Sequence, residues 1–519
     1  MIYPDSLSRS IEYFKKLPGI GEKSAERIAL SIMNLSVDDI DNFATSLLDS
    51  KNKLKKCEIC GHLTDSDICV VCQDESRNKN LICVLEDYKS VFTFEKIGNY
   101  NGTYHVLDGL ISPSDGVSPD DINFISLVRR VENLENCEII IALKSTIEGE
   151  MTTLYIKKIF ENHYPILSSW EDLSVQKKIP FLQKLNERIF ELDPRVIKVN
   201  ASIGDSTSYI LYYNSEGLLC EDIRPMVQIV GSCVMQNGDK IETAHSSRAA
   251  RMDISFLSYD LIDEIAQEAV RQTARMFESV QPKGGEMPVI MAAGSSGILL
   301  HEAIGHAFEA DFNRKGISIF TDKFGQLICD KQINVIDDGT LKYDRGAVNF
   351  DDEGIEGQKT YIVKDGKLNS YLNDRISAKY YQVNPTGNGR RQSFRSIPVP
   401  RMRSTYMEAG KYTEEEIISS VEKGIYVDHF TNGQVQIGAG DFTFFVKTGY
   451  LIENGKLTQP IKDINIIGNG PKALADITMV GNNLKIDKGA WTCGKDGQGM
   501  PVSQGLPSVL VKQLTVGGI

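Results

Sequence analysis

The sequence has no N-terminal segment that joins a basic start to an apolar run, and it has no long uninterrupted apolar stretch. Its longest apolar stretch, residues 287–300, is interrupted by Gly-Ser-Ser-Gly at 294–297. That stretch is also shorter than the roughly 20 residues that a helix needs to cross a bilayer. These absences argue against a secretory signal and against a membrane span. We therefore expect a cytoplasmic protein with no membrane partner.

Basic residues are also scarce, because 57 Lys and Arg stand against 70 Asp and Glu and give a formal net charge of -13. This balance argues against a general affinity for nucleic acid, so any DNA binding must use a small local surface. Ten cysteines in 519 residues do not indicate a disulfide scaffold. In a reducing compartment, closely spaced cysteine pairs more often hold a metal.

Two cysteine pairs stand close together near the N-terminus. Cys57 and Cys60 form one Cys-x-x-Cys pair, and Cys69 and Cys72 form a second pair after an interval of eight residues. Four thiolates at this spacing can close a tetrahedron around zinc, and Gly61 allows the first knuckle to turn. A redox role would need only one pair. The spacing therefore predicts a structural zinc site with no open position for catalysis.

A glycine-containing turn precedes a helix predicted over residues 23–33. Residues 17–21 read Leu-Pro-Gly-Ile-Gly, so Gly19 and Gly21 can take positive φ and bring backbone N–H groups close to an anion. Lys23 and Arg27 lie one turn apart on the same face, where both can contact phosphates. The pattern favours a DNA-binding hairpin. A helix start with two solvated cations is the alternative, and these residues alone do not separate the two.

Three predicted strands follow the cysteines, over residues 81–85, 104–107 and 138–143. Acidic residues end the first two: Glu86 and Asp87, then Asp108. At the carboxyl ends of parallel strands such residues can hold Mg²⁺, or they can cap turns and helices. We favour capping. Beyond a boundary expected between residues 160 and 165, a polar helical stretch over residues 174–192 leads into glycine-punctuated strands.

A histidine pair with an adjacent glutamate lies in the second part of the chain. His301 and His306 are five residues apart, which places them about 140° apart on an ideal α-helix. Both can reach one metal ion only if the helix widens locally, as an i→i+5 turn does, and Gly305 lowers the cost of that distortion. Glu302 would then be placed to take a proton from metal-bound water. Two helical histidines with a structural glutamate are the alternative.

A metal site of this kind needs a third protein ligand. Cys493 is the best candidate, because it lies in a glycine-rich loop that can approach the metal closely. Two imidazoles and one thiolate leave a fourth position open, as in a catalytic zinc site. His245 and His429 are weaker ligand candidates. The remaining cysteines of this region are predicted to be small core residues: Cys220, Cys233 and Cys329.

The first part of the chain resembles the RecR recombination-mediator family. The resemblance is carried by the four cysteines and by residues 17–33, 82–87, 105–116 and 146–150. It implies a helix-hairpin-helix region over residues 1–52, a C4 zinc finger over 53–78 and a Toprim α/β domain over 79–162. It also implies a non-enzymatic role at gapped DNA or single-strand/double-strand junctions, with RecO- and RecF-type partners. The family's closing segment is missing, so we expect a truncated Toprim domain.

The rest of the chain resembles the TldD branch of the TldD/PmbA metallopeptidase family. The matching stretches are residues 300–314, 337–339, 351–354, 386–391, 398–403, 433–435, 450–455, 493–498 and 515–518. The resemblance implies a truncated α/β domain over residues 163–285 and a β-rich, barrel-like peptidase domain over 286–519. It carries over His301, His306 and Cys493 as zinc ligands and Glu302 as catalytic base. It also implies peptide or unfolded-protein substrates, and a PmbA/TldE-type partner or self-association.

The overall expectation is an α/β multidomain protein that binds one structural and one catalytic zinc ion. Two functional hypotheses follow. The first is a zinc peptidase with an N-terminal DNA-binding module. The second is a recombination mediator that carries an inactive or accessory peptidase-like tail. Since each half departs from its family at the junction, an in-frame deletion that joined two neighbouring genes is a third possibility.

Overall fold

The computed structural model describes residues 3–518 and divides them into two compact units, which adjoin in sequence at Glu161 and Asn162. Within the described residues, every helix is too short or too polar to cross a membrane. The secondary structure mixes helices and strands in both units, which confirms the predicted α/β multidomain class.

The first unit contains seven α-helices and five strands among its described residues. The helices are α1 Asp5–Lys15, α2 Glu22–Ile32, α3 Val37–Lys53, α4 Val70–Gln73, α5 Tyr88–Ile97, α6 Phe124–Glu132 and α7 Ile147–Glu161. The strands are β1 Lys55–Lys56, β2 Leu63–Thr64, β3 Leu81–Leu85, β4 Thr103–Val106 and β5 Glu138–Ile141.

Helices α1 and α2 form a hairpin around a small apolar core. Ile11 on α1 packs with Ala25 and Ala29 on α2, and all three are buried. The two alanines lie four residues apart on one helix face, where small side chains let α1 approach closely. Helix α3 has no buried residue. The hairpin is therefore held by one narrow apolar strip.

Strands β4, β3 and β5 form a three-stranded sheet in that order, and both pairings are parallel. Strand β3 lies in the centre and is apolar on both faces, as expected for a central parallel strand. The cysteine-bearing segment is tied to this sheet, because Val106 N donates to Cys60 O at 2.7 Å. The finger and the sheet thus share one core.

The second unit contains six α-helices and nineteen strands among its described residues. The helices are α8 Val175–Leu192, α9 Tyr259–Met276, α10 Ala310–Arg314, α11 Arg375–Tyr381, α12 Glu414–Ser419 and α13 Gly470–Ala475. The first ten strands are β6 Val196–Tyr213, β7 Leu219–Asn237, β8 Lys240–Ala250, β9 Gly285–Met291, β10 Val335–Asp338, β11 Lys359–Lys364, β12 Lys367–Leu368, β13 Gly389–Arg390, β14 Val399–Pro400 and β15 Ser404–Met407. The others are β16 Lys423–Gln436, β17 Asp441–Glu453, β18 Lys456–Asn469, β19 Ile477–Val480, β20 Lys485–Ile486, β21 Thr492–Lys495, β22 Gln498–Pro501, β23 Ser503–Leu506 and β24 Val509–Gly518.

Strands β6, β7 and β8 form an antiparallel meander that packs against α8 and α9. Gly231 on β7 permits this close approach, because a Cβ there would lie 3.1 Å from Ile265 Cγ2 and 3.3 Å from the Leu185 methyl groups. The apolar face of the meander is therefore covered by the two helices, while its other face carries many exposed side chains.

A closed barrel forms the centre of the second unit. Strands β18, β17, β16, β9 and β24 pair in that order, and β24 pairs back onto β18, with Ile466 opposite Val516. The ring has five strands, and β19 is attached to β24 outside it. The predicted barrel-like domain is confirmed. Its interior is apolar and merges with the core around the histidine-bearing segment.

A second six-stranded sheet, in the order β12-β11-β10-β15-β23-β20, adjoins this core. The segment of residues 398–403 runs into its strand β15. Arg401, Met402 and Arg403 are fully buried there, so this segment crosses the core. Arg403 donates to Asp337 Oδ2 at 2.8 Å, which satisfies a buried charge with a buried partner.

Candidate metal centres

The histidine-bearing segment is a widened helix. Residues Leu299–Gly305 form a π-helix, and His306–Phe308 continue it as a 3₁₀ turn. Gly305 is required because a Cβ there would clash with the Met402 sulfur and lie 2.7 Å from Leu300 O. The widening predicted from the five-residue histidine spacing is confirmed. It brings the His301 and His306 rings to a centroid distance of 5.1 Å.

Cys493 completes a three-residue group with the two histidines. One donor atom from each of His301, His306 and Cys493 lies within 4.8 Å of the other two, and all three residues are buried. Cys493 Sγ lies 3.4 Å from His306 Nε2. The cysteine reaches this position on the hairpin of β21 and β22, and Arg401 fixes its backbone by donating to Cys493 O at 2.7 Å.

The electrostatics of this group favour a bound cation. Burial opposes ionisation of Cys493, but His301 and His306 lower the pKa of its thiol to about 4. Burial would lower the pKa of His306, but Glu309 and Cys493 raise it well above its usual value. A buried pocket that holds a thiolate and attracts positive charge suits a divalent cation, which leaves both imidazoles neutral.

A second set of residues orients His306. Glu309 is fully buried and accepts from His306 Nδ1 at 3.0 Å, so His306 presents Nε2 towards Cys493. Lys495 donates to the same Glu309 oxygen at 3.1 Å and to Asp311 at 2.7 Å. A carboxylate behind a histidine ligand is the usual support of a zinc site.

Sequence reasoning did not identify Glu309 and Lys495 as part of the site. Glu309 stands three residues after His306, which places both on one face of a helical turn. Lys495 stands two residues after Cys493, which places both on one face of a strand. Once the metal ligands are assigned, the interval of three residues from His306 and the interval of two residues from Cys493 point to Glu309 and Lys495.

The donor set fits zinc in its chemistry as well as its position. Two imidazoles and one thiolate are the ligand types that zinc prefers, and three protein ligands leave one coordination position open. His301 Nδ1 is buried without a hydrogen-bond partner among the described residues. Glu302 follows His301 in the sequence and is only partly buried. Its side chain lies next to strand β16, because a Cβ at Gly433 on that strand would lie 3.1 Å from Glu302 Cγ. The glutamate therefore lies beside the group rather than within it.

The four N-terminal cysteines form a separate group. Their Sγ atoms all lie within 4.8 Å of one another, and Cys60 Sγ is 3.5 Å from Cys69 Sγ. Hydrogen bonds from the Cys60 and Cys72 thiols lower the pKa of Cys69, which favours a thiolate at that position. Gly61 takes φ +73°, as the predicted knuckle requires. Four soft ligands in a closed set suit a structural zinc ion.

The hairpin residues lie at the start of α2. Gly19 takes φ +80°, but Gly21 takes φ −80° and ψ 172°, so the expectation of two positive-φ glycines is wrong for Gly21. The reason is that Gly21 is the N-cap of α2, a position with extended backbone. Lys23 and Arg27 are exposed on one face of α2 and form no ion pair among the described residues.

The acidic strand ends do not come together as a metal group within the described residues. Asp87 caps α5 by accepting from Ser90 N, Glu86 pairs with Lys144 at 2.7 Å, and Asp108 pairs with Lys56. The capping interpretation that we favoured for Asp87 agrees with this arrangement.

Two further expectations concern other residues. The cysteines predicted to be core residues are buried: Cys220, Cys233 and Cys329. His245 and His429 lie with their rings 6.3 Å apart and outside both groups.

Comparison with known sequences matches five family descriptions along the chain. The family descriptions that match are RecR helix-hairpin-helix over residues 7–51, the RecR zinc finger domain with four cysteine ligands over 54–74 and Toprim over 80–167. The PmbA/TldA metallopeptidase central domain matches residues 168–277, and its C-terminal domain matches 284–518.

The matches to individual relatives extend over most of each relative's length. The metalloprotease TldD homolog of Buchnera aphidicola subsp. Acyrthosiphon pisum is 40% identical over 82% of this chain and 88% of the relative. The recombination protein RecR of Staphylococcus aureus strain Newman is 46% identical over 31% of this chain and 80% of the relative. The solved structure of TldE from Thermococcus kodakarensis has a TM-score of 0.55 at 20% identity, covers 72% of this chain and 84% of that one, and shows a shared fold. The chain therefore belongs to the PmbA/TldD metallopeptidase family over its C-terminal two-thirds and to the RecR family over its N-terminal third.

Proposed function

We propose that this protein is a zinc-dependent peptidase that acts on peptides or unfolded proteins and carries a RecR-like DNA-binding module. The observation that carries the proposal is the convergence of His301, His306 and Cys493 on a π-helix with Glu302 beside them. Family membership supports a metallopeptidase, and the open fourth position supports catalysis rather than a structural role.

The proposed reaction is hydrolysis of a peptide bond. His301, His306 and Cys493 would hold the zinc ion, which would supply Lewis-acid chemistry for the hydrolysis. Glu302 would take a proton from the attacking water and pass it to the departing amine. Glu309 keeps His306 in the tautomer that presents Nε2. Glu302 is only partly buried, so part of its side chain stays accessible from solvent.

The test compares variants that separate catalysis from metal binding. Glu302→Gln should keep its zinc and lower turnover by about 10²-fold or more, because general-base catalysis contributes that much. Cys493→Ala and His301→Ala should lose zinc and activity together, because two remaining ligands hold the ion poorly. Zinc content by elemental analysis and cleavage of an unfolded peptide give the two readouts. Full zinc and full activity in Cys493→Ala would show that the third ligand is elsewhere.

Assembly belongs to the same proposal. The fold shared with TldE supports a PmbA/TldE-type homologue as partner, with self-association as the alternative. The cleavage assay is therefore run with the chain alone and with such a homologue added.

We also propose a cytoplasmic location, since all ten cysteines are free and both candidate zinc sites need reduced thiols.

The second candidate function is a DNA recombination and repair mediator with an inactive or accessory peptidase-like tail. It is favoured by the exposed cations Lys23 and Arg27 at a glycine turn whose backbone is open to solvent. Gapped DNA or a single-strand/double-strand junction is the proposed ligand, and RecO- and RecF-type proteins are the proposed partners. Phosphate contacts imply binding that weakens with salt and does not depend on base sequence.

The DNA test is a double charge reversal. Lys23→Glu/Arg27→Glu should abolish binding to gapped DNA at low salt. A matched control is Lys51→Glu/Lys53→Glu, which changes the charge of the same region equally at the far end of α3. Unchanged binding in the first variant, or equal loss in both, would contradict the hairpin assignment. If the parent neither binds DNA nor cleaves peptides, the in-frame deletion explanation is favoured.

A further inference from the structure

The hairpin of β21 and β22 carries Cys493 but pairs with no other strand among the described residues. A two-stranded hairpin is only marginally stable on its own in water. This one is also rich in glycine, and a Cβ at Gly494 or at Gly497 would meet nothing within 4 Å. Contacts from elsewhere in the fold must therefore hold the hairpin where Cys493 Sγ lies 3.4 Å from His306 Nε2.

Three buried arginines from separate segments donate to main-chain carbonyl oxygens of this hairpin and of the residue before it. The bonds are 2.7 or 2.8 Å long and join Arg345 Nε to Trp491 O, Arg401 Nη2 to Cys493 O and Arg390 Nη2 to Pro501 O. Since Pro501 lies opposite Thr492 in the hairpin, the arginines contact both of its strands. Arg345 also donates to Thr492 Oγ1 at 3.3 Å.

The three arginines form no ion pair among the described residues, unlike the buried Arg403, which pairs with Asp337. Burial lowers the pKa of Arg345 to about 10 and that of Arg390 to about 9, so both guanidinium groups are still charged at pH 7. Hydrogen bonds from a charged donor are roughly twice as strong as neutral ones. The planar guanidinium can also hold two acceptors at once. The charge of these arginines therefore acts on carbonyl dipoles and not on a carboxylate.

We propose that Arg345, Arg390 and Arg401 form an arginine cradle that positions Cys493 as a metal ligand by holding the main-chain carbonyls of its hairpin. The inference rests on the metal site of the proposed peptidase and adds three positioning residues to it. Metal–ligand distances in well-formed sites vary by only about 0.2 Å, so a small displacement of the hairpin would weaken coordination.

The test measures metal binding by the full chain without cleavage. The chain is titrated with Co²⁺, whose bond to a thiolate gives an absorption band in the near ultraviolet. The variant Cys493→Ala supplies the spectrum of the N-terminal cysteine group, which is subtracted. Arg345→Met should bind Co²⁺ about tenfold or more weakly at the Cys493 site, because it removes a hydrogen bond from a charged group. The intensity of the band per bound ion should also fall, because Cys493 is displaced.

Arg251→Met is the matched control. Arg251 is also buried, forms no ion pair among the described residues, and lies over the Tyr164 ring without donating to the hairpin. Its loss should leave Co²⁺ affinity unchanged or raise it, since removal of a positive charge favours a bound cation. Replacing a buried charge by an apolar side chain need not lower the free energy of unfolding. Urea unfolding of both variants therefore separates positioning from general destabilisation.

Unchanged Co²⁺ affinity in Arg345→Met, or an equal loss in Arg251→Met, would overturn the proposal. If Arg345→Met fails to fold by circular dichroism, Thr492→Val decides. This exposed position loses only the acceptor of Arg345, so Co²⁺ affinity should fall about threefold or more, and an unchanged affinity would overturn the proposal as well.

The outcome is also separable from that of the peptidase proposal. A chain that shows the expected Co²⁺ losses but cleaves no peptide would support the arginine cradle and count against the peptidase function. Cleavage by a chain whose Arg345→Met variant binds Co²⁺ normally would do the reverse.

Discussion

Replacement of Glu309 by Gln tests whether the buried network behind His306 supports metal binding. Glu309 Oε2 accepts from both His306 Nδ1 and Lys495 Nζ, at 3.0 and 3.1 Å. Glutamine keeps the volume and one acceptor oxygen but removes the charge. A hydrogen bond to a charged group contributes about 1.5–3 kcal/mol. Since about 1.4 kcal/mol is tenfold in an equilibrium constant, zinc affinity should fall by about 10- to 100-fold, in the range known for supporting residues.

The assay is a competition titration of zinc against a chromophoric chelator, with circular dichroism to establish that the variant is folded. Asp311→Asn is the matched control, because Asp311 is the other carboxylate of Lys495 and does not bind His306. This variant also leaves the buried Lys495 without one of its negative partners. It should weaken zinc binding by less than about threefold, because His306 keeps its hydrogen bond to Glu309. Equal losses in the two variants would refute the orienting role of Glu309. Unchanged zinc affinity in Glu309→Gln would refute it as well.

Three further predictions address the backbone, the finger and the pH dependence. Gly305→Ala should lose zinc from the site formed by His301, His306 and Cys493, and adding Met402→Ala should not restore it, because the clash with a backbone oxygen remains. Restored zinc would show that the side-chain clash alone matters. The double variant Cys57→Ser/Cys60→Ser should contain one zinc ion by elemental analysis where the parent contains two, and should still cleave peptides. Burial raises the pKa of Glu353 from 4.5 to about 7, so the folded state binds more protons than the unfolded state between those values and stability falls as pH rises through this range. Urea unfolding at pH 5 and 7.5 should show a smaller decline in Glu353→Gln, and an equal decline would place the pH dependence elsewhere.

The cysteine pairs and the histidine interval could be interpreted from the sequence because they depend only on residues that are close in the chain. The two Cys-x-x-Cys pairs fix four thiols on two short turns, and those thiols meet in the structure. The five-residue interval between His301 and His306 is incompatible with one metal on an ideal α-helix, so a shared metal predicted a π-turn, and the structure contains one. The barrel and the mixed α/β class followed from the family resemblance rather than from periodicity.

Other features depend on contacts that no local pattern records. Gly21 has extended backbone instead of the expected positive φ, because its role as a helix N-cap depends on where α2 begins. The sequence alone does not place the stretch of residues 398–403. Its placement in the core is decided by ion pairs and packing with distant residues, such as Asp337 and Gly305.

The sequence by itself predicted which histidines and cysteines come together in two groups, and the widened helix that a metal shared by His301 and His306 needs. Only the tertiary structure decided how those ligands are supported and what adjoins them. Glu309 and Lys495 meet because the hairpin of β21 and β22 folds against the 3₁₀ turn at His306, although the two residues are 186 positions apart in sequence. The arginine cradle meets the same hairpin for the same kind of reason. Spacing within a segment fixes which side chains share a face, but the partner that each face meets is set by the packing of segments that are remote in the chain.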